Sequence, residues 1–491
     1  IEVTAVHATL DGGLGADVMI YNGGGGEIKF IVDNVGDIIK VSSNTYSVTV
    51  ETSLLNYTLP DNVNSNINYL TSTASTVINL TGNNIINILT AQAGSVISGL
   101  NGNDTYIVGD NAANISIVET ITGGNDTLEF AGGINACYLP TNIETLKIAD
   151  TAYNATGYGN SSNDILRANK WGNTLYGLGG NDILYGGAGA DFLDGGTGND
   201  QMYGGTGSDT FYVDSVLDVV IENVGGGYDT VISTVNYTLG SEQEKLVLAG
   251  ASQINGTGNS TNNLILGNAN ANILSGGQGN DQLMGDAGSD TYIYNIGDGT
   301  DDINEIANTA QDIDKLQFGA GINTADVKVF KNSNGQVWVS VLNSKIQLGN
   351  LGADGKSLVE QIQFNNGTVW TVDQVAVLND APVVTQEIQS QVLAVGTPYS
   401  FTLPSGLFTT ESWDPLTLNI YGMPSWLNYD PQSMTFAGTP PSSDYSWVNI
   451  YATDTTGQIA VSSFFIGAYG TTINGTSGAD NLVATSNMTI L

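Results

Sequence analysis

Histidine, cysteine and basic residues are almost missing from this chain of 491 residues, which holds one His, one Cys and eleven Lys plus Arg. With His7 the sole histidine, a Ser-His-Asp triad, an HExxH zinc motif and a histidine general base all lack support. Cys137 stands alone, so an internal disulfide is excluded; a lone Cys fits a reducing compartment or a secreted bacterial protein held together by ions. Eleven bases against 48 acids give a formal net charge of -37. That excludes a nucleic-acid binder that works by neutralising phosphates, and it argues against docking on an anionic membrane without a bridging cation. There is no initiator Met, no signal peptide and no apolar run long enough to span a membrane. There is no P-loop and no G-x-G-x-x-G between a strand and a helix. Nothing here reads as catalytic, and the expectation is that the chain is not an enzyme. Six Trp residues (Trp171, Trp338, Trp370, Trp413, Trp426, Trp447) would bind sugar if clustered on a surface, but core or strand-edge aromatics are the plainer reading.

What the chain has is glycine, 63 residues of it, and a repeat. From Gly159 to Tyr212 it runs in nines: GNSSNDILR, ANKWGNTLY, GLGGNDILY, GGAGADFLD, GGTGNDQMY, GGTGSDTFY. The sixth place is Asp164, Asn173, Asp182, Asp191, Asp200, Asp209; the eighth is Leu166, Leu175, Leu184, Leu193, Met202, Phe211. A strict repeat this short signals a stacked solenoid. Glycines at places one, two and four predict positive φ and a tight turn. The last residues of each unit suit a very short strand with one side chain pointing inward. Each unit is then half a coil, so Asp164, Asp182 and Asp200 line one edge and Asn173, Asp191 and Asp209 the other. Carboxylates stacked about 5 Å apart, the spacing of neighbouring strands, would repel unless a cation lay between them. Turn carbonyls beside carboxylates make a hard oxygen cage suited to Ca²⁺, whereas a transition metal would want His or Cys.

GGAGADFLD and GGTGNDQMY resemble the RTX (haemolysin-type) calcium-binding repeat, GGxGxDxUx, at every defined place. The resemblance implies that each ion sits between turn n and turn n+2. The first turn gives the carbonyls of places two and four and its Asp; the second gives the carbonyls of places one and three and its Asp. Carried over, Leu178, Gly180 and Asp182 face Gly195, Thr197 and Asp200; Gly187, Gly189 and Asp191 face Gly204, Thr206 and Asp209; and Asn160, Ser162 and Asp164 face Gly177, Gly179 and Asp182. The Asn173 unit departs from the pattern, lacking its glycines and its carboxylate.

Other stretches share the pattern. GGLGADVMI (Gly12 to Ile20) is one perfect unit with Asp17, but no partner unit lies eighteen residues away. After period-two strands over about 27–80 comes a degenerate run, GNNIINILT, AQAGSVIS and GLNGNDTYI, whose middle unit is one residue short; the register breaks there and Asp104 is its only full ligand. A third cluster, Gly258 to Ile293, sets Asn259, Thr261 and Asn263 against Gly276, Gln278 and Asp281, and Asn268, Asn270 and Asn272 against Gly285, Ala287 and Asp290. Asn in place of Asp there implies weaker ions, or amide ladders that satisfy backbone groups.

The expected fold is all-β: calcium-binding parallel β-roll or β-solenoid modules, then a small β capping domain and an Ig/cadherin-like β-sandwich. The boundaries are 1–110 for a degenerate first module, 111–212 for the second with its main roll at 159–212, and 213–313 for the third with its roll at 258–293. Residues 314–378 carry LQFGAGI and QIQFNNGTVW, which resemble the small β-domain that often follows RTX runs. Residues 379–469, with PSWLNYD and FAGTPP, resemble cadherin-like (dystroglycan-type) immunoglobulin-fold domains, and Asp380, Glu411, Asp414 and Asp454 are a further calcium set to consider there. Residues 470–491 begin another repeat, so both ends read as cut from a longer protein or array. The resemblance implies a bacterial secreted or surface protein, passed by type I secretion machinery and folded by several Ca²⁺ ions outside the cell. The expected role is structural or adhesive, in a surface layer, filament or adhesin, with copies of itself or neighbouring repeats as partners. The alternative is the carrier region of an RTX toxin or exported hydrolase; a lectin-like module is a weaker third.

Overall fold

The computed structural model describes residues 1–469 apart from 6, 24–25, 42–46, 62–66, 74–78, 91–93, 110–114, 133–135, 306–311, 332–335, 343, 350–357, 373–381, 410–415 and 455–457. Among these residues the structure is all-β, with one 3-10 turn at Thr324–Asp326 and no α-helix. Among the described residues no helix is long and apolar enough to cross a membrane. The chain divides into two compact units: Ile1–Asn323 with Leu358–Thr371, and Thr324–Ser357 with Val372–Leu491.

The first unit is a parallel β-solenoid. Successive strands fall alternately on two faces. One face is a sheet of twelve strands, from Ala8–Asp11 to Val219–Ile221. The other holds strands such as Val18–Tyr21, Val96–Ser98 and the run from Ala136–Tyr138 onward. In the main roll Leu166 pairs with Leu184 and Leu184 with Met202 on one face, while Leu175 pairs with Leu193 and Leu193 with Phe211 on the other. All six are fully buried. The eighth place of each nonapeptide therefore builds a core two columns wide, each side chain worth roughly 1.5–3 kcal/mol of burial. Outside the rolls a second side chain of the strand turns inward. Thr127–Phe130 and Thr230–Ser233 each bury two side chains, so the coils there enclose a wider core.

Three local expectations change. The short unit AQAGSVIS does not break the stack: Val96–Ser98 pairs with Asn79–Thr81 and Ile88–Thr90 with Thr105–Ile107, so the missing residue is absorbed between strands. Positive φ is found at places two and four of the turns, as at Gly187 (97°) and Gly189 (95°), but not at place one. Place one is glycine for want of room: a methyl group at Gly177 would collide with Asp182 Oδ2 and the Gly195 carbonyl. Lastly, LQFGAGI and QIQFNNGTVW extend the solenoid. Lys315–Phe318 pairs in parallel with Thr291–Tyr294, and Gln361–Gln363 pairs with it in turn. Their inward residues Leu316, Phe318, Ile362 and Phe364 are buried and continue the column of Tyr292 and Tyr294.

In the second unit, Val327–Lys331, Val337–Val341 and Ser344–Gln347 form an antiparallel meander. The C-terminal residues make a β-sandwich. Gln391–Ala394, Ile459–Tyr469, Asp444–Thr453 and Thr417–Tyr421 form one sheet; Tyr399–Thr402, Thr435–Gly438 and Leu427–Asp430 form another. Phe436, Val448, Ile450, Phe464 and Ile466 fill its core.

Candidate metal centre

Each place-six residue stands one position before a strand, at the inner wall of a turn, because the residue two later must point into the core. Parallel pairing then stacks these residues, and a ladder results. Asp182 Oδ1 accepts the N–H of Asp164 at 2.7 Å, and Asp200 Oδ1 that of Asp182 at 2.7 Å. On the other edge Asp191 Oδ1 accepts from Asn173 at 2.6 Å and Asp209 Oδ1 from Asp191 at 2.8 Å. One carboxylate oxygen is thus fixed by the preceding coil.

The second oxygen is buried with no hydrogen-bond partner in Asp104, Asp182, Asp191, Asp200, Asp209, Asp281 and Asp290, and Asp164 has Oδ1 in that state. An unpaired buried carboxylate oxygen is costly. The Oδ2 atoms point into the space that place-one glycines keep open, whereas at Asp164 the oxygen beside Gly159 is the one that accepts from Asn160 N. Turn carbonyls pack closely against the neighbouring coil. Those of Leu178, Ser162, Gly187, Gly189 and Gly180 pack on glycines of turn n+2, and those of Gly177, Gly195 and Gly204 on place-one glycines of turn n. Gly276 and Gly285 do the same in the third roll. Thr197 also links the paired turns: its N–H donates to Leu178 O at 2.9 Å, and its carbonyl accepts from Gly180 N at 3.1 Å. Carboxylates and carbonyls without a nitrogen or sulfur ligand are the donor set of Ca²⁺, and the partnerless oxygens are where such an ion fits.

Burial is the main cause that pushes these carboxyls up, with neighbouring carboxylates adding to it: Asp182 rises to about 7, Asp191 to about 8, Asp104 to about 7, and Asp164, Asp200, Asp281 and Asp290 each to about 6. Asp209 is raised for the same first reason. The backbone N–H bonds oppose the shift without cancelling it.

Where the third roll has Asn, the amide serves itself; in the main roll Asn173 Nδ2 is buried without a partner. Asn272 Nδ2 donates to Ile254 O at 2.5 Å and Asn268 Oδ1 at 3.2 Å, and Asn263 Nδ2 donates to Gln243 O at 3.1 Å. Asn160 Nδ2 donates to the carbonyls of Pro140 and Ile143, both at 3.1 Å, while its Oδ1 accepts the Ser162 N–H at 2.8 Å. The leading turns of both rolls are thus closed by amides. Asp17 does have a partner coil, twenty residues on rather than eighteen: its N–H donates to Asp37 Oδ1 at 3.0 Å. Of the four sandwich acids, Asp380, Glu411 and Asp414 lie outside the described residues; Asp454 is buried and its Oδ1 accepts from Gln458 N at 2.8 Å.

The ladder also runs on where counting in nines stops. Asp126 Oδ1 accepts from Asp104 N at 2.7 Å, Asp218 Oδ1 from Asp200 N at 3.0 Å, Asp229 Oδ1 from Asp209 N at 2.7 Å, Asp301 Oδ1 from Asp281 N at 3.1 Å and Asp314 Oδ1 from Asp290 N at 2.6 Å. Glu144 and Glu244 continue it beyond Asp126 and Asp229. Their signal in the sequence is an acid immediately before a strand, as in Asp126-Thr127 and Asp229-Thr230, visible only when strand starts rather than residue counts are aligned.

Comparison with known families places the RTX calcium-binding nonapeptide repeat, in four copies, at residues 158–193, 176–211, 187–218 and 257–292. A haemolysin-type calcium binding protein related domain matches 330–374, and a putative Ig domain matches 381–467. No curated protein matches the chain. Among solved structures, the extracellular lipase LipA from Serratia marcescens is similar at 12% identity over 54% of this chain and 67% of that one, with a TM-score of 0.14, too low to add to the fold described above.

Proposed function

We propose, from the premise that this is an RTX calcium-binding repeat protein with an Ig-like domain, that it is an extracellular structural or adhesive protein of a bacterial surface. It has no catalytic role of its own, and its rolls fold on Ca²⁺ after export. One observation carries the reading: a buried ladder of carboxylates with partnerless oxygens, held at Asp182, Asp191, Asp200 and Asp209 by backbone N–H groups. Such a stack is poorly stable in a calcium-poor cytosol, which suits passage through type I secretion machinery. It becomes stable where calcium is abundant. A ligand at a thousand times its dissociation constant adds about 4 kcal/mol per independent site, so a few sites rival the roughly 5–15 kcal/mol of a whole domain. A surface layer, filament or adhesin would use the solenoid as a stiff spacer and copies of the same chain as neighbours.

The test is circular dichroism with size-exclusion light scattering at matched protein concentrations in EGTA and in millimolar Ca²⁺. Conversion from an expanded to a compact β-rich chain is the expected result, with mass growing with concentration. Compaction without growth in mass favours the carrier region of an exported toxin or hydrolase. No response to calcium at all removes the ion-folded solenoid.

A further inference from the structure

The main roll ends at Asp209, where the nonapeptide glycines give way to the wider coil that begins at Tyr212. The coil that follows supplies Glu222 and Asp229. One carboxylate oxygen from each of Asp209, Glu222 and Asp229 lies within 4.8 Å of the other two. Asp209 and Asp229 are 1% and 0% exposed, and Asp209 Oδ2, Glu222 Oε1 and Asp229 Oδ2 all lack a hydrogen-bond partner. The remaining oxygens are engaged: Asp209 Oδ1 accepts from Asp191 N at 2.8 Å, Asp229 Oδ1 from Asp209 N at 2.7 Å, and Glu222 Oε2 from Asn223 N at 3.3 Å.

The geometry explains why a glutamate stands there. Within the roll, the place-one glycine of one turn faces the place-one carbonyl of the turn two units on, as Gly186 faces Gly204 O. Tyr203 pairs with Ile221, so Glu222 occupies the place-one position opposite Gly204. What a methyl group on Gly204 would meet is Glu222 Oε1 together with Asp209 Oδ2. A side-chain carboxylate has replaced a backbone carbonyl in the cage, adding a full negative charge to it.

The ends of the other two runs add a phenol to the glutamate, and at the end of the third roll Asp290, Glu305 and Asp314 group as closely as these three do. Tyr106 donates its hydroxyl to Glu119 Oε1, and Tyr292 donates its hydroxyl to Glu305 Oε1. Gly99 N and Gly285 N in turn donate to those hydroxyls at 2.7 and 2.8 Å. The matching residue at the end of the main roll is Phe211, which has no hydroxyl and is fully buried. The phenol that takes one glutamate oxygen elsewhere is therefore missing here, although the glutamate is retained.

We propose that Asp209, Glu222 and Asp229 form a calcium site distinct from the nonapeptide cages. It seals the main roll to the wider coil. The proposal rests on the calcium reading above, and Asp209 is shared with the last nonapeptide turn. Three carboxylates without nitrogen or sulfur favour a hard divalent cation over zinc. The extra carboxylate relative to a nonapeptide cage makes it one of the tighter sites on the chain.

The experiment is a count of bound Ca²⁺ on the full chain by native mass spectrometry, with hydrogen exchange in parallel. Glu222→Gln, nearly isosteric, is expected to carry one ion fewer than the wild type, and to lose calcium-dependent protection over 219–233 while 159–203 stays protected. Phe211→Tyr, which places a hydroxyl where Tyr106 and Tyr292 have theirs, is expected to weaken filling of that ion at least tenfold. An unchanged count in Glu222→Gln overturns the site while leaving the nonapeptide cages standing. A wild type that binds no calcium overturns the function proposed above as well.

Discussion

The main roll and the leading coils of the third roll share a backbone and differ by single atoms. Asp182 and Asp200 stand where Asn263 does, and Asp191 where Asn272 does, one residue before a strand and each donating its N–H to the acid of the next coil. The amide turns its second group, an NH₂, to a nearby carbonyl and is satisfied. The carboxylate has no donor to offer: its first oxygen accepts an N–H of the preceding coil, and its second, beside the place-one glycine where the amide oxygen lies, has no partner. One turn is complete without a ligand; the other is complete only with a cation. The lesson is that the choice between Asn and Asp at place six sets which coils depend on calcium.

The largest test of that contrast is pH in the absence of metal, because it acts on every carboxylate at once. The folded pKa values of Asp182 and Asp191 are raised to about 7 and about 8 from an ordinary value near 4. A raised acid binds more protons folded than unfolded, so its contribution to stability is fully present below about pH 4 and is lost as pH rises through 6 to 8. Urea midpoints in EGTA are expected to fall steadily from pH 5 to pH 8. Calcium, which takes the place of those protons, is expected to bind more tightly over the same interval and to flatten the decline. Midpoints in EGTA that rise with pH would contradict the buried ladder.

Next in size is removal of a single cage. Asp191→Ala or Asp200→Ala is expected to cost about 4 kcal/mol in saturating calcium, the linkage contribution of one site. Asp17→Ala, at the first coil and outside the run of nines, is expected to cost much less in the same calcium-titrated melting series. Equal shifts would undo the paired-turn assignment. The smallest effect, and the sharpest, is Asn272→Asp. Without calcium it loses the donors to Ile254 and Asn268 and is expected to cost roughly 1–3 kcal/mol. With calcium the loss should be recovered, because the turn becomes a cage. A loss of the same size in both conditions would show that the amide has a packing role alone.

Much of this was legible in the residues. The nonapeptides announce half-coils, the eighth place announces the core, and Leu166 to Phe211 are buried in the columns that spacing implies. Less legible were features whose spacing varies. Asp126, Asp229, Asp301 and Asp314 follow their neighbours by 20 to 24 residues, so a period of eighteen does not find them. The role of the place-one glycine is hidden for a related reason: a turn's own sequence shows that Cβ is absent, but not whether dihedral freedom or an approaching carbonyl demands it.

By itself the sequence determined the coil, its core and the hard-oxygen chemistry, because those depend on local periodicity and residue type. Only the tertiary structure decided which carboxylates share a cage. A parallel stack aligns strands in space and lets the intervening turns vary in length. Glu222 thereby reaches the gap at Gly204, and LQFGAGI joins the solenoid through the buried column of Tyr292 and Tyr294.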